Sequence, residues 1–272
     1  MTLLQAEDFR MESETLFHAI ETLDDTGLQL VTQFKGWTIE DILVHLHFWN
    51  IAADLTIKDD ASFRDFADDA FKALNETGSL RDVENAQIHL RGIALRAKWI
   101  QQVRDMAGRW IALDPKLRLQ WVGPSMSARS SITARQMETW AHGMEVFDVL
   151  GIARLEQDRI LNIVVLGVNT FSWSHKVQGL DVPETIPHLC LTMPSGEIWE
   201  YGEKGSSSIS GTALDFAAVV TQTRAVADTA LEIEGDVATT WMTNAQCFAG
   251  PPETPPAKGS RAMKVLTAST TL

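Results

Sequence analysis

The stretch that most constrains this chain is Ile132 to Gly151, ITARQMETWAHGMEVFDVLG. It reads as one long helix on which Glu138 and His142 stand four residues apart. Four residues are about 400° of helical turn, so both side chains leave the same face. A carboxylate and an imidazole so placed can close on one divalent ion. Arg135, three before Glu138, and Glu145, three after His142, extend the same stripe, with Val149 behind it. Such a stripe is unusual on a helix that needs apolar surface to dock. The expectation is a metal site inside a helical bundle. Arg135 and Glu145 are candidates for contacting a bound cofactor or substrate beside it. A solvated ion pair is the competing reading of both.

A third ligand has to come from elsewhere. A second helix opens at Gly36-Trp37-Thr38, where Thr38 with Asp41 resembles a capping box. Ile39, Ile42, Leu46, Trp49 and Ala53 make its buried stripe. His45 and His47 lie on it two apart, pointing roughly 200° away from each other, so only one can join Glu138 and His142. Periodicity leaves the choice open, because each flanks the apolar stripe. Two histidines and a glutamate are one of the known catalytic zinc sets, with a position left for water or substrate.

The rest of the chain supplies the bundle. A first helix spans about 6–31, with Phe9, Leu16, Ile20 and Leu23 at helical spacing and an interruption at Asp24-Asp25-Thr26-Gly27. A short helix covers about 62–75. A long helical pattern runs from Asp82 to about Leu113 and ends at Pro115, followed by a connector to 131. Four long helices around one centre make a bundle the natural architecture. A fifth helix is expected from Glu156 to about Ser174. The texture changes near Gly179. HLCLTM (188–193) and EIWEYG (197–202) read as two strands about Pro194-Ser195-Gly196, and a serine-rich loop covers 205–211. A helix starting at Thr212, a strand over 228–234 and a helix over 237–248 complete that part. The expected fold is mainly α. It comprises a helical bundle with the metal site over 1–178, a small α+β domain over 179–250 and a Pro-rich tail over 251–272.

Composition narrows the function. The net charge of −13 repels phosphate backbones, which argues against nucleic-acid binding. No apolar run reaches the roughly 18–20 residues that span a bilayer. The N-terminal MTLLQAEDFRMESE lacks the basic start and apolar centre of a signal peptide. Cys190 and Cys247 are too few for a disulfide framework and have no CxxC spacing, so both read as structural. A cytoplasmic protein acting on a small molecule is expected, away from membranes, with a homodimer left open.

Gly36-Trp37-Thr38, followed eight residues after the Trp by His45-Leu46, resembles the W-T-…-H-L signature of the DinB-like superfamily. The branch it resembles is the mycothiol-dependent maleylpyruvate isomerase type. There the metal histidine is the one in the H-L pair, which implies His45 rather than His47. The Glu-x-x-x-His of its fourth helix matches Glu138 and His142. LTMPSGEIWEYG, SGTALDFAAVVTQTRAVADTAL and AQCFAGPP resemble a less characterised bacterial subgroup that carries its own C-terminal domain. The resemblance covers the chain to about residue 252. It implies a DinB-like four-helix bundle and a divalent metal, zinc first, with nickel, iron or manganese as alternatives. It also implies a low-molecular-weight thiol. The thiolate would add to an activated double bond, allow rotation and leave again, turning a cis-enedioate into its trans form. An important C-terminal arginine is implied too, and Arg224 is the catalytic candidate in the matching segment. A solvated helix-end arginine is its competing reading. An S-transferase, a metal-dependent hydrolase without thiol, and a non-catalytic metal-binding or ligand-binding protein are the competing functions. A fourth protein ligand, such as Glu145, would favour the last.

Overall fold

Apolar residues three and four apart near the N-terminus form α1 (Gln5–Ile20), burying Phe9, Leu16 and Ile20. The helix is shorter than the 6–31 expected, because the chain breaks at Glu21 and makes only a 3-10 turn at Gly27–Gln29. Thr38 then starts α2 (Ile39–Leu55). Its capping box is built as read. Thr38 Oγ1 accepts the Asp41 N–H at 3.0 Å, and the Asp41 carboxylate accepts the Thr38 N–H at 2.9 Å. Burial works against the Asp41 charge, but these bonds and the Arg81 guanidinium outweigh it and hold the carboxyl below its ordinary value. Thr38→Ala is expected to lower the unfolding free energy by about 1 kcal/mol, seen as a lower denaturant midpoint at unchanged slope.

This computed structural model describes residues 2–122 and 124–263. After α2 come α3 (Asp60–Thr77), α4 (Leu80–Gln87) and α5 (Gly92–Trp110). The single long helix expected over 82–113 is therefore two. Gly92 sits at φ +59°, and a Cβ there would lie 2.1 Å from Asp25 Oδ1. The Gly92 N–H donates to Glu40 Oε2 at 2.5 Å, and the Ile93 N–H donates to Asp25 Oδ1 at 2.8 Å. Acids from elsewhere in the chain thus cap the first turn of α5. α4 packs on α2, where Arg81 and Asn85 both bond to Asp41. α5 packs on α1 and α2 and buries Leu95, Trp99, Val103 and Trp110.

The connector holds a two-stranded antiparallel ribbon, β1 (Arg118–Leu119) with β2 (Met126–Ser127). It leads into α6 (Ala128–Leu150), which is buried nearly all round. Ile132, Met137, Trp140 and Val146 fill its apolar positions, while Arg135, Gln136, Thr139, His142, Glu145 and Asp148 are buried among them. Among the described residues, no helix is long and apolar enough to cross a membrane.

The chain divides between Val149 and Leu150 into two compact units, earlier than the 178/179 boundary read from sequence texture. In the second unit, α7 (Leu161–Asn169) and α8 (Phe171–Val177) replace the one helix expected over 156–174. β3 (His188–Thr192) and β4 (Ile198–Tyr201) form the expected hairpin. The serine-rich stretch is a strand, β5 (Ser208–Thr212), running parallel to β3 with Leu189 opposite Ile209. After α9 (Ala213–Val220), β6 (Glu232–Glu234) pairs antiparallel with β5, giving the order β4-β3-β5-β6. α10 (Asp236–Asn244) follows and packs on α8.

Leu189, Leu191 and Ile209 point to the buried side of this sheet, where α9 packs. α7 lies on α9, and Gly167 is what permits it. A Cβ there would come within 3.0 Å of both Phe216 and Val220. The helices before residue 178 therefore pack with the later ones, which is why the division precedes them. The start of the tail is fixed to this unit. Gln246 Oε1 accepts the Glu253 N–H at 3.0 Å, and Arg261 donates to the Gln222 carbonyl at 2.8 Å. Residues 264–272 of the expected tail lie outside those described.

Candidate metal centre

α2 and α6 meet so that His45 faces Glu138 and His142. The Nε2 atoms of His45 and His142 each lie 3.4 Å from Glu138 Oε2. One ligand atom from each residue falls within 4.8 Å of the others. His45 and His142 are buried, while the Glu138 side chain keeps 21% of its surface exposed and opens the cluster on one side. His47 is not part of it. It lies about 200° round α2, buried beside Gln102 and near Lys98 of α5. A groove of about 390 Å³ on the His47 side, lined by Ile51, Asp54, Leu55 and Arg109, includes none of the cluster residues.

The spacing suits a shared ion as well as long hydrogen bonds to Glu138. Donors about 2.1 Å from a tetrahedral ion stand about 3.4 Å from each other. Charge-assisted N–H···O bonds close to about 2.7–2.9 Å. Both contacts with Glu138 are longer than that and fall near the tetrahedral edge, while the three donor atoms together span up to 4.8 Å, wider than a closed set. By contrast, His45 Nδ1 donates to Glu84 Oε1 at 2.8 Å, an ordinary charged hydrogen bond. The same Glu84 oxygen accepts the Trp49 Nε1–H at 2.7 Å. Nothing in the sequence singles out Glu84, which falls within the long helical pattern over 82–113 and lies far from both histidines along the chain.

Burial works against charge on His45, but Glu84 at Nδ1 and Glu138 at Nε2 outweigh it and push the imidazole up to about 9. Burial pushes His142 down, against the pull of Glu138. Glu138 is held well below the usual carboxylate range. Burial opposes this, but hydrogen bonds from His142 and His45 and the charge of Arg135 prevail. Phe34 and Trp37 wall the cluster. Trp37 stacks on His142 at 5.8 Å between centroids and 3° between planes, and Phe34 meets the same ring edge-on.

Arg135 belongs to this neighbourhood. It is buried, with Nη2 3.9 Å from Glu138 Oε1 and its guanidinium over Trp121 at 5.5 Å. The solvated reading of Arg135 therefore fails. Glu145 is also buried, one turn beyond His142, and is not a member of the three-residue cluster. Arg224 follows α9 in the second unit and donates through Nη1 to the Thr223 carbonyl at 2.9 Å.

A mainly helical bundle with an imidazole–carboxylate–imidazole cluster between two of its long helices defines the class of protein. More narrowly, the chain belongs to the family described as the mycothiol maleylpyruvate isomerase N-terminal domain, matched over residues 9–147. Its fold is similar to that of the crystal structure of the mycothiol-dependent maleylpyruvate isomerase. The TM-score is 0.51 at 16% identity, over 80% of this chain and 88% of that one. A histidine-to-alanine mutant of that enzyme matches equally. The chain is also 34% identical to uncharacterised proteins from two strains of Mycobacterium tuberculosis, over 90% of this chain and 95% of each relative.

Proposed function

We propose that the protein is a divalent-metal-dependent enzyme that uses a low-molecular-weight thiol on a small molecule, as a cis-trans isomerase or an S-transferase. The observation that carries this is the convergence of one donor atom each from His45, Glu138 and His142 within 4.8 Å of one another. Family membership adds the thiol. His45, Glu138 and His142 would hold the ion, zinc first among the candidates. A metal in this set would keep a thiol ionised at neutral pH.

The chain's own residues do the rest. Two neutral imidazoles and one carboxylate supply a single negative charge, so the centre stays net positive toward an incoming anion. Arg135 adds a second cation 3.9 Å from Glu138. Phe34 and Trp37 exclude water and keep the local dielectric low, which strengthens both attractions. Glu138, the most open of the three ligands, marks the side from which a co-substrate enters. In the isomerase reading, a thiolate sulfur bonds to one alkene carbon and the electron pair moves to the conjugated carbonyl. Rotation about the new single bond follows, and loss of the same thiolate restores the double bond. No atom is gained or lost. Arg224 is proposed as the catalytic arginine of the C-terminal unit, and Glu145 as a cofactor-side group behind His142. A small-molecule substrate and a cytoplasmic setting belong to the same proposal.

The test is turnover of maleylpyruvate with cysteine, glutathione or mycothiol, before and after chelator dialysis. The expected result is isomerisation that needs a thiol, falls to background on metal removal and returns when zinc is added. Hydrolysis without thiol, or protein purified and reconstituted without bound metal, would overturn the proposal. Arg224→Ala should lower turnover and leave metal content unchanged.

A further inference from the structure

Glu84 is only 1% exposed. Leaving a charge in such a place without partners costs several kcal/mol, whereas a leucine of similar size would simply fill the space. Glu84 is instead fully engaged at one oxygen, taking the His45 Nδ1–H at 2.8 Å and the Trp49 Nε1–H at 2.7 Å.

The helix that carries it is arranged for this contact. α4 has only eight residues, too few to be stable alone. It presents Arg81, Glu84 and Asn85 at helical spacing to Asp41, His45 and Trp49 of α2, themselves four apart. Arg81 and Asn85 both bond to Asp41, the N3 residue of the α2 capping box. The clamp at the start of α2 thus fixes the position of α4, and that fixes Glu84 under His45.

We infer that Glu84 is a positioning residue for the metal centre, acting through His45. It fixes the proton of the neutral ring on Nδ1, turns Nε2 toward Glu138 and His142, and raises the basicity of that nitrogen. This inference rests on the metal reading of the cluster proposed above.

The experiment compares the full-length protein with Glu84→Gln, Glu84→Ala and Trp49→Phe, each stripped and reloaded with zinc or cobalt(II). The expected result is pH-independent zinc affinity, corrected for the proton released on binding, weakened 10- to 100-fold in Glu84→Ala. Glu84→Gln, which keeps an acceptor oxygen but loses the charge, should be weakened less. The visible cobalt spectrum should shift in both Glu84 variants. Trp49→Phe removes the other donor to Glu84 and keeps the ring, so its affinity and spectrum should match the parent. A role confined to packing would change thermal stability in Glu84→Gln and Trp49→Phe alike, and would leave affinity and spectrum unmoved. Parent-like zinc affinity and cobalt spectrum in folded Glu84→Gln would overturn the inference, and that variant decides the question if Glu84→Ala does not fold. Failure of the parent protein itself to bind zinc or cobalt would instead overturn the metal reading, and this inference with it.

Discussion

Replacing His142 by alanine is expected to abolish stoichiometric binding of a divalent ion while leaving the bundle folded. The imidazole is one of three proposed donors, and a carboxylate with one remaining imidazole does not hold zinc at micromolar concentrations against water. His45→Ala should do the same from the other helix. Folding survives because the first unit's core is apolar and lies elsewhere. Trp99, Trp110, Trp140, Phe9 and Phe48 are all buried completely, and none is a proposed ligand. His47→Ala is the control. It removes an equally buried histidine two residues from His45, so a generic loss of packing would appear in both variants. Metal content should nevertheless stay at one ion per chain in His47→Ala. Elemental analysis, with far-UV circular dichroism on the same samples, reads both quantities. Metal lost from His47→Ala and kept in His45→Ala would reverse the ligand assignment.

The parts of this site that could be read in the sequence are those set by local geometry. Glu138 and His142 are four apart on one helix, and helical repeat alone puts them together. The Thr38–Asp41 cap is equally local. The choice between His45 and His47 is not, since both flank the same apolar stripe and the deciding fact is which face of α2 meets α6. Only the resemblance to a known family favoured His45. Glu84 was invisible for a related reason. Its meaning depends on α4 turning back onto α2, and that turn is enforced by Gly92 and by Asp25 and Glu40 from distant segments. Without those partners, residues 82–113 read as one continuous helix. β5 escaped notice because Ser208, Ser210 and Gly211 carry no apolar alternation. Ile209 alone faces the core, and the strand is held by its parallel pairing with β3. The charged stripe leaves Arg135 two readings, a contact beside the metal site or a solvated ion pair, and its burial excludes the second. Here α6 has almost no solvent face.

Metal affinity is expected to climb about tenfold per pH unit from neutrality to about pH 9 and then flatten. The ionisable groups facing His45 are Glu84, Glu138, His142 and, through Glu138, Arg135. Burial opposes its charge, and the two carboxylates prevail, so the free ring holds its second proton up to about pH 9. At pH 7 only about one metal-free molecule in a hundred presents a bare Nε2. Binding must therefore expel one proton. Calorimetry at pH 7 in two buffers of different ionisation enthalpy should count about one proton released per zinc ion. Stability carries the same sign. A raised imidazole stabilises the metal-free fold fully below about pH 6.5, and that contribution is lost as pH rises through about 9. His142 and Glu138 are both lowered, so their titrations fall on the acid side of this window. The gap in melting temperature between zinc-loaded and metal-free protein should widen steadily from pH 6.5 to 9. A gap that stayed constant, with affinity equally flat, would mean that Nε2 is already free at neutral pH and that the two carboxylates do not hold a proton on His45.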